Sequence, residues 1–372
     1  MNPTVSQLTE LGCYTLAGHT EQPRDLLDEV RRAEELGLGS AFISERFNVK
    51  DAAVLTGAVG AASTTLGVAT AATNHTTRHP MVTATMATTA HRLTGGRFAL
   101  GLGRGIGLLN GLYGLPDVTG AQLTDAIGLL RRMWHGDLVV GHDGPSGAYP
   151  FLHQSSSFDE DIPVILCAMG ERSLELSGGI ADGVVLHTYF TDETLVRSVA
   201  AVRRGAERAG RDPSTVRVWS VLGTVGDHLD EELRLRKSVG RLATYLQGYG
   251  DLMVRVNQWD PAVLDRFRAD EVVASFPGAL DANGTTEVLE HVATLLPDEW
   301  LAAAATGSPA ACAERILGQF DLGADGVIAH GATPEELAPV MQAYRSIRPA
   351  GRFDDLPANP GRTANWSPTW WR

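Results

Sequence analysis

The chain has 372 residues and a formal net charge of −13 at pH 7, with no basic run. Nucleic acid is therefore not an expected partner, because phosphate binding needs clustered Lys and Arg. Cys13, Cys167 and Cys312 are isolated, which argues against a disulfide scaffold or a zinc site and for a reducing, cytoplasmic setting. The N-terminal MNPTVSQLTELG lacks the basic and apolar regions of a signal peptide, and no run of about 18 apolar residues offers a membrane span.

The predicted elements alternate strand and helix. LGCYTLAG (11–18) reads as the first strand. PRDLLDEVRRAEELGLG follows as an amphipathic helix: Pro23 suits its start, Leu26, Val30 and Ala33 recur at helical spacing, and Gly37 and Gly39 end it. SAFIS (40–44) is the second strand, DAAVLTGAVGAAST a helix of small residues, and LGVATAAT (66–73) the third strand. PMVTATMATTAHRLTGG is a helix opened by Pro80 and closed by Gly95. RFALGLG, IPVILCAMG (162–170), ADGVVLHTYF and TVRVWSVLGTVG read as strands four to seven, each with a helix after it. GADGVIAHGA (323–332) and PEELAPVMQAYRSI close the series.

Eight strands, apolar on both faces and each followed by helix, predict a (β/α)8 TIM barrel, with an open doubly wound sheet as the alternative. Residues 1–350 form that single domain, and 351–372 a Pro- and Trp-rich tail packed on the barrel's outside or on a neighbour. Two segments interrupt the repeat. Residues 139–161, rich in Gly and Ser, are a short β-excursion or a lid before strand five. The mainly helical stretch 228–310 is too long for one barrel helix. Its Tyr245, Tyr249, Trp259, Phe267, Phe276 and Trp300 suit a pocket wall or an oligomer interface.

Barrel chemistry sits at the C-terminal strand ends. There, GLGRGIG is not GxGxxG, because position 106 is Ile, so a Rossmann site is poorly supported. Gly103, Arg104 and Gly105 suit either a tight turn or an exposed row of N–H groups with one fixed charge. Cys167, Ala168, Met169 and Gly170 precede a helix whose first N–H groups suit an anion. Together the two stretches make a plausible phosphate cradle. TNHTTRHP follows strand three, with His79 held extended by Pro80. No HExxH, GxSxG or paired Cys/His spacing occurs, so neither a metal site nor Ser-hydrolase chemistry is expected.

RRAEELGLGSAFISER, TNHTTRHPMVTATMATTAHRLTGGRFALGLGRG and SGGIADGVVLH together resemble the luciferase-like monooxygenase superfamily, and within it the coenzyme F420-dependent oxidoreductases. The resemblance implies a (β/α)8 barrel with a deazaflavin, or FMN in some members, across its C-terminal mouth. It implies a non-prolyl cis peptide about at Ala71–Ala72, behind the ring, with Thr73 and Asn74 at the ring's polar edge. The phosphate lies on backbone of Gly103–Gly105 and Ala168–Gly170, and a homodimer packs through the helices around repeats two and three.

The departures concern the acid–base set. Glu45–Arg46 stands where sugar-phosphate-oxidising members carry Asp-His, and Ile106 stands where they carry Glu; Met169 replaces a common Gly. Arg46 cannot act as a base. The expected function is hydride transfer between F420 and a small, moderately apolar substrate: an enone, aldehyde or alcohol. Ile106, Leu108, Leu109 and the aromatics of 245–276 form its apolar wall, and Glu45 or His75 delivers the proton. The alternatives are an FMN-dependent monooxygenase and a non-catalytic F420-binding paralogue.

Overall fold

A computed structural model describes residues 6–17 and 22–368. The predicted end of the first strand at Gly18–His19, the last four residues of the tail and the Leu108 side chain lie outside the described residues. In chain order the repeat runs β1 Leu8–Tyr14, α1 Asp25–Glu35, β2 Leu38–Ile43, α2 Ala52–Ala62, β3 Gly67–Thr70, α3 Pro80–Leu93, β4 Phe98–Leu102, α4 Gly120–Trp134. It continues with β5 Val164–Cys167, α5 Glu171–Ile180, β6 Gly183–Val185, α6 Asp192–Arg208, β7 Arg217–Gly226, α7 Pro309–Asp321, β8 Gly326–His330 and α8 Pro334–Ile347. This is the eightfold strand–helix alternation expected from the sequence. Local chemistry sets the boundaries: α3 starts with Pro80 behind an extended His79, and Thr333 and Glu336 form a capping box on α8.

The chain divides into two compact units. The first comprises residues 1–38, 186–200 and 219–354; the second comprises 39–185, 201–218 and 355–372. In the first unit, β8 runs parallel to β1, with Leu11 opposite Val327, and parallel to β7, with Gly326 opposite Trp219. A short strand, Ala305–Gly307, pairs in parallel with the end of β7, with Ala305 opposite Thr224. Its helical excursion includes the helix Arg241–Asn257, preceded by a π turn at Arg236–Gly240. Glu10 is fully buried in β1, where Arg348 and Tyr344 donate to its carboxylate at 2.6 and 3.1 Å. A buried charge needs such partners.

In the second unit β2 to β6 pair in parallel and in chain order, with Ser40 opposite Gly67, Val68 opposite Phe98, Leu100 opposite Val164 and Ile165 opposite Gly183. Residues 139–161 contain the β-excursion: Val139–Gly144 and Gly147–Leu152 form an antiparallel hairpin. Asp125 on α4 holds it, accepting from the Ser146 amide at 2.9 Å, the Ser146 hydroxyl at 2.5 Å and His142 Nε2 at 3.0 Å.

The tail packs against the N-terminal strand ends of this same unit. Asn359 Nδ2 donates to Gly96 O and Phe98 O at 2.8 and 2.9 Å. Arg217, fully buried, donates to the carbonyls of Pro357, Asn359 and Arg362 at 3.2 Å each. Asp182, also fully buried, accepts from Arg131 Nη2, Val164 N and Trp366 Nε1 at 2.9, 2.8 and 3.0 Å.

Candidate functional site

In the second unit, β3 stops at Thr70 rather than running to 73, and the Ala71–Ala72 peptide that follows is cis. Backbone bonds fix the bulge on both flanks. Ala71 N donates to Ile43 O at 2.7 Å, and Glu45 N donates to Ala72 O at 3.1 Å; Thr73 N donates to Gly101 O at 3.0 Å, and Gly103 N to Thr73 O at 2.9 Å. A Cβ on Gly103 would lie 3.0 Å from the Ala72 Cβ, so glycine lets β4 pass the bulge.

Glu45 lies directly behind this backbone, with its side chain 6% exposed. Its Oε2 accepts from the Thr73 hydroxyl at 2.6 Å, Asn74 Nδ2 at 3.1 Å and Arg78 Nη1 at 3.1 Å; its Oε1 accepts from Arg78 Nη2 at 2.5 Å. Arg78 also reaches Asp51, the cap of α2, at 2.5 Å. Burial pushes the Asp51 carboxyl up, but hydrogen bonds from Val54 N–H and Arg78 hold it below its ordinary value. Glu45 thus accepts four hydrogen bonds, three on Oε2 and one on Oε1, from Thr73, Asn74 and Arg78. Asn74 Oδ1 accepts from the backbone and hydroxyls of Thr76 and Thr77, which folds TNHTT into a compact turn. His75 sits on that turn, half-buried. Burial lowers its pKa, and its Nδ1 has no partner among the described residues.

Beyond β4 the chain wraps around Asn110, a buried residue that sequence reasoning missed. Asn110 Nδ2 donates to Arg104 O at 3.0 Å, and a Cβ on Gly105, at φ +73°, would meet Asn110 Oδ1 at 2.8 Å. Among the described residues, the amides of Arg104, Gly105 and Ile106 have no partner, and the buried Arg104 Nε has none either. Gly170 caps α5 and leaves the Glu171 and Arg172 amides open in the same sense. Ala168 corrects the expected cradle: its N–H is spent on Val185 O at 3.1 Å, so the donors there begin after it. Cys167 is pushed up to about 12 by burial and stays a thiol.

In the first unit, Tyr14 and His330 end β1 and β8, and His187 follows β6. His187 Nε2 lies 2.8 Å from Tyr249 Oη, and its Nδ1 lies 2.9 Å from Thr188 O. Tyr245 packs edge-on to His187 at 4.9 Å, and Tyr14 edge-on to His330 at 5.3 Å. Burial lowers His187 to about 4. Of the other aromatics expected to form a wall, Phe267 and Trp300 are buried in this unit's core, with Trp300 stacked on Trp259 at 4.3 Å. Among the described residues no three His, Cys, Asp or Glu side chains group as a metal site, and no helix is long and apolar enough to cross a membrane.

Residues 1–326 match the family model described as luciferase-like monooxygenase. The chain is 26% identical over 303 residues to the 5,10-methylenetetrahydromethanopterin reductase of Methanolobus tindarius, covering 80% of this chain and 87% of that one. It is 30% identical over 219 residues to the F420-dependent glucose-6-phosphate dehydrogenase of Nakamurella multipartita, covering 53% and 62%. Among solved structures, the coenzyme F420-dependent tetrahydromethanopterin reductase of Methanopyrus kandleri superposes with a TM-score of 0.75 at 19% identity, over 91% of this chain and 99% of that one. That likeness shows the fold: a TIM barrel of eight parallel strands surrounded by helices.

Proposed function

The chain belongs to the luciferase-like monooxygenase family, and on that premise we propose that it is an F420-dependent oxidoreductase. In this reading it moves a hydride between the deazaflavin and a moderately apolar enone, aldehyde or alcohol. The observation that carries the reading is the second unit's bulge, with partnerless N–H groups on the loops beside it. His75 Nδ1 and Arg104 Nε are buried and unmatched. Buried polar groups are nearly always paired, so these point to a bound group with acceptors and an anionic tail. A deazaflavin with its phosphate fits that demand.

The cofactor, when bound, supplies hydride at its C5. The chain supplies position. The backbone of Ala71 and Ala72 seats a flat ring, and Thr73 and Asn74 present its polar edge, held in register by Glu45 and Arg78. Gly103, Arg104 and Gly105, with Met169, Gly170 and the first turn of α5, hold the phosphate; Cys167 contributes backbone rather than thiolate. His75, neutral at pH 7, hydrogen-bonds the ring edge. Ile106, 36% exposed beside the cradle, favours an apolar substrate over a sugar phosphate.

Titrating the protein with F420 and with FMN, followed by fluorescence, tests the reading. Micromolar FMN binding with none of F420 would sink it in favour of the monooxygenase. Tight F420 binding without turnover across enones, aldehydes and alcohols would favour a non-catalytic carrier. We also propose a homodimer through α2 and α3. Between them lies a groove of about 480 Å³ lined by Ala53, Gly57, Met81, Val82, Met86 and Leu93. Val54, Val82 and Leu93 leave half or more of their surface exposed, and small residues on α2 permit a close approach by a second copy. Light scattering that returns the mass of a single chain would refute the dimer.

A further inference from the structure

Within the second unit, the loops after β2 and β4 flank the bulge at the end of β3, since these three strands pair in order. Two strand spacings, roughly 9.6 Å, separate β2 from β4. Yet Phe47, on the tight turn closed by the Arg46 and Lys50 backbones, meets Tyr113 edge-on with ring centroids 5.7 Å apart. The two loops therefore lean together across the end of β3. The second loop contains the helix Gly107–Leu112, whose polarity is inverted for a soluble fold. Among its described side chains the buried one is polar: Asn110 Nδ2 donates to Arg104 O, and Asn110 O accepts from Leu115 N at 2.8 Å. Its apolar stripe, Ile106, Leu109, Leu112 and Tyr113 from N-cap to C-cap, faces outward instead. Leu112 is 73% exposed, and Phe47, Ile106, Leu109 and Tyr113 lie between 36% and 49%.

We propose that this outward face holds the hydrocarbon chain of the substrate, with Phe47, Leu109, Leu112 and Tyr113 as its specificity-determining residues. The proposal rests on the hydride-transfer reading and narrows its substrates to those whose reacting group ends an extended chain. The stripe runs about 10 Å from Ile106 to Tyr113, at about 1.5 Å per residue, and so matches an extended chain rather than a compact group. The face continues directly from Glu45 and from Gly105, on the two loops beside the ring seat. Its exposed area, on the order of 500 Å², is the size at which an apolar patch is often functional, yet it is below the roughly 800 Å² a side of a stable association with a second copy. A helix that lies on a lipid surface carries a basic face, and Gly107–Leu112 has no Lys or Arg.

The test is equilibrium dialysis of 1-hexanol, 1-octanol and 1-decanol against wild type, a Leu109→Gln/Leu112→Gln double variant and Phe47→Ser. Leu138→Gln, at an exposed leucine elsewhere on the second unit, is the control. A methylene taken wholly from water gains about fourfold in affinity; a face that covers it from one side should give about twofold, hence about sixteenfold from hexanol to decanol. The double variant should cut that rise to about threefold and Phe47→Ser to about sixfold, while Leu138→Gln keeps it. With F420 supplied, KM for turnover should fall along the same series. No rise with chain length in wild type, or an equal rise in wild type and the double variant, overturns the proposal. So does a double variant that keeps the rise but loses mass in light scattering, or loses co-sedimentation with phosphatidylcholine–phosphatidylglycerol vesicles; those results assign the face to a second copy or to a lipid surface. Should the double variant fail to fold, Phe47→Ser carries the same comparison from the other loop. The dialysis is run without cofactor, so a wild type that binds no F420 overturns the hydride-transfer reading on a separate readout.

Discussion

Replacing Arg78 by Met tests whether the Glu45–Arg78 pair builds the bulge. The substitution keeps most of the aliphatic bulk and removes four hydrogen bonds: two to Glu45, one to Thr73 and one to Asp51. Asp51 is about half exposed, and its share is small, on the order of 0.5 kcal/mol. Glu45 is 6% exposed and keeps only the Thr73 and Asn74 donors. Breaking a buried pair from one side typically costs 3–5 kcal/mol; with two donors retained, about 3 kcal/mol is expected. Glu45→Gln alone should cost about 2 kcal/mol, since it leaves the guanidinium facing a neutral amide. The double variant removes both charges together and should cost about 3 kcal/mol rather than the sum, a coupling near 2 kcal/mol. Urea unfolding of the four proteins measures the cycle, with F420 affinity followed in parallel. Strictly additive losses, or an Arg78→Met protein with unchanged midpoint and affinity, would refute the anchoring role.

Gly103→Ala places a methyl 3.0 Å from Ala72 Cβ; F420 affinity should fall about tenfold while stability changes by roughly 1 kcal/mol, and an unchanged Kd would count against the seat. Asp182→Ala strands Arg131 and the Val164 amide in the core and should destabilise by about 3–5 kcal/mol, read as a lower urea midpoint. Burial raises the Asp125 carboxyl, but hydrogen bonds from Ser146 and His142 hold it below its ordinary value overall. Its contribution is therefore complete above about pH 4 and is lost as pH falls through the lowered value, so limited proteolysis should begin to cut the 139–152 hairpin only below about pH 4. Cutting that is equal at pH 3 and pH 6 would contradict this.

The repeat was legible because its signals are local: apolar runs of strand length, Pro23 and Pro80 at helix starts, glycines at helix ends. The bulge at Ala71–Ala72 was legible only by resemblance, since nothing in the ATAAT run singles out one peptide bond. What stayed hidden depended on partners far apart in the chain. Glu45 shows no partner in the sequence until Arg78, 33 residues on, is seen to donate to both its oxygens. Ala168 reads as an open amide until Val185 claims it. Tyr249 reads as one more aromatic on a helix, and only Gly248 and Gly250 on either side of it mark the kink in the sequence.

The Arg217 clamp is a contact of very long range along the chain. The carbonyls of Pro357, Asn359 and Arg362 that receive the Arg217 guanidinium lie 140, 142 and 145 residues further on, and the arginine is fully buried where they meet. Contacts at such separations close large loops and order a great deal of chain before they repay it. Residues 357–362 are thus a staple of the second unit set from far along the sequence, and their geometry depends on the unit around them being formed.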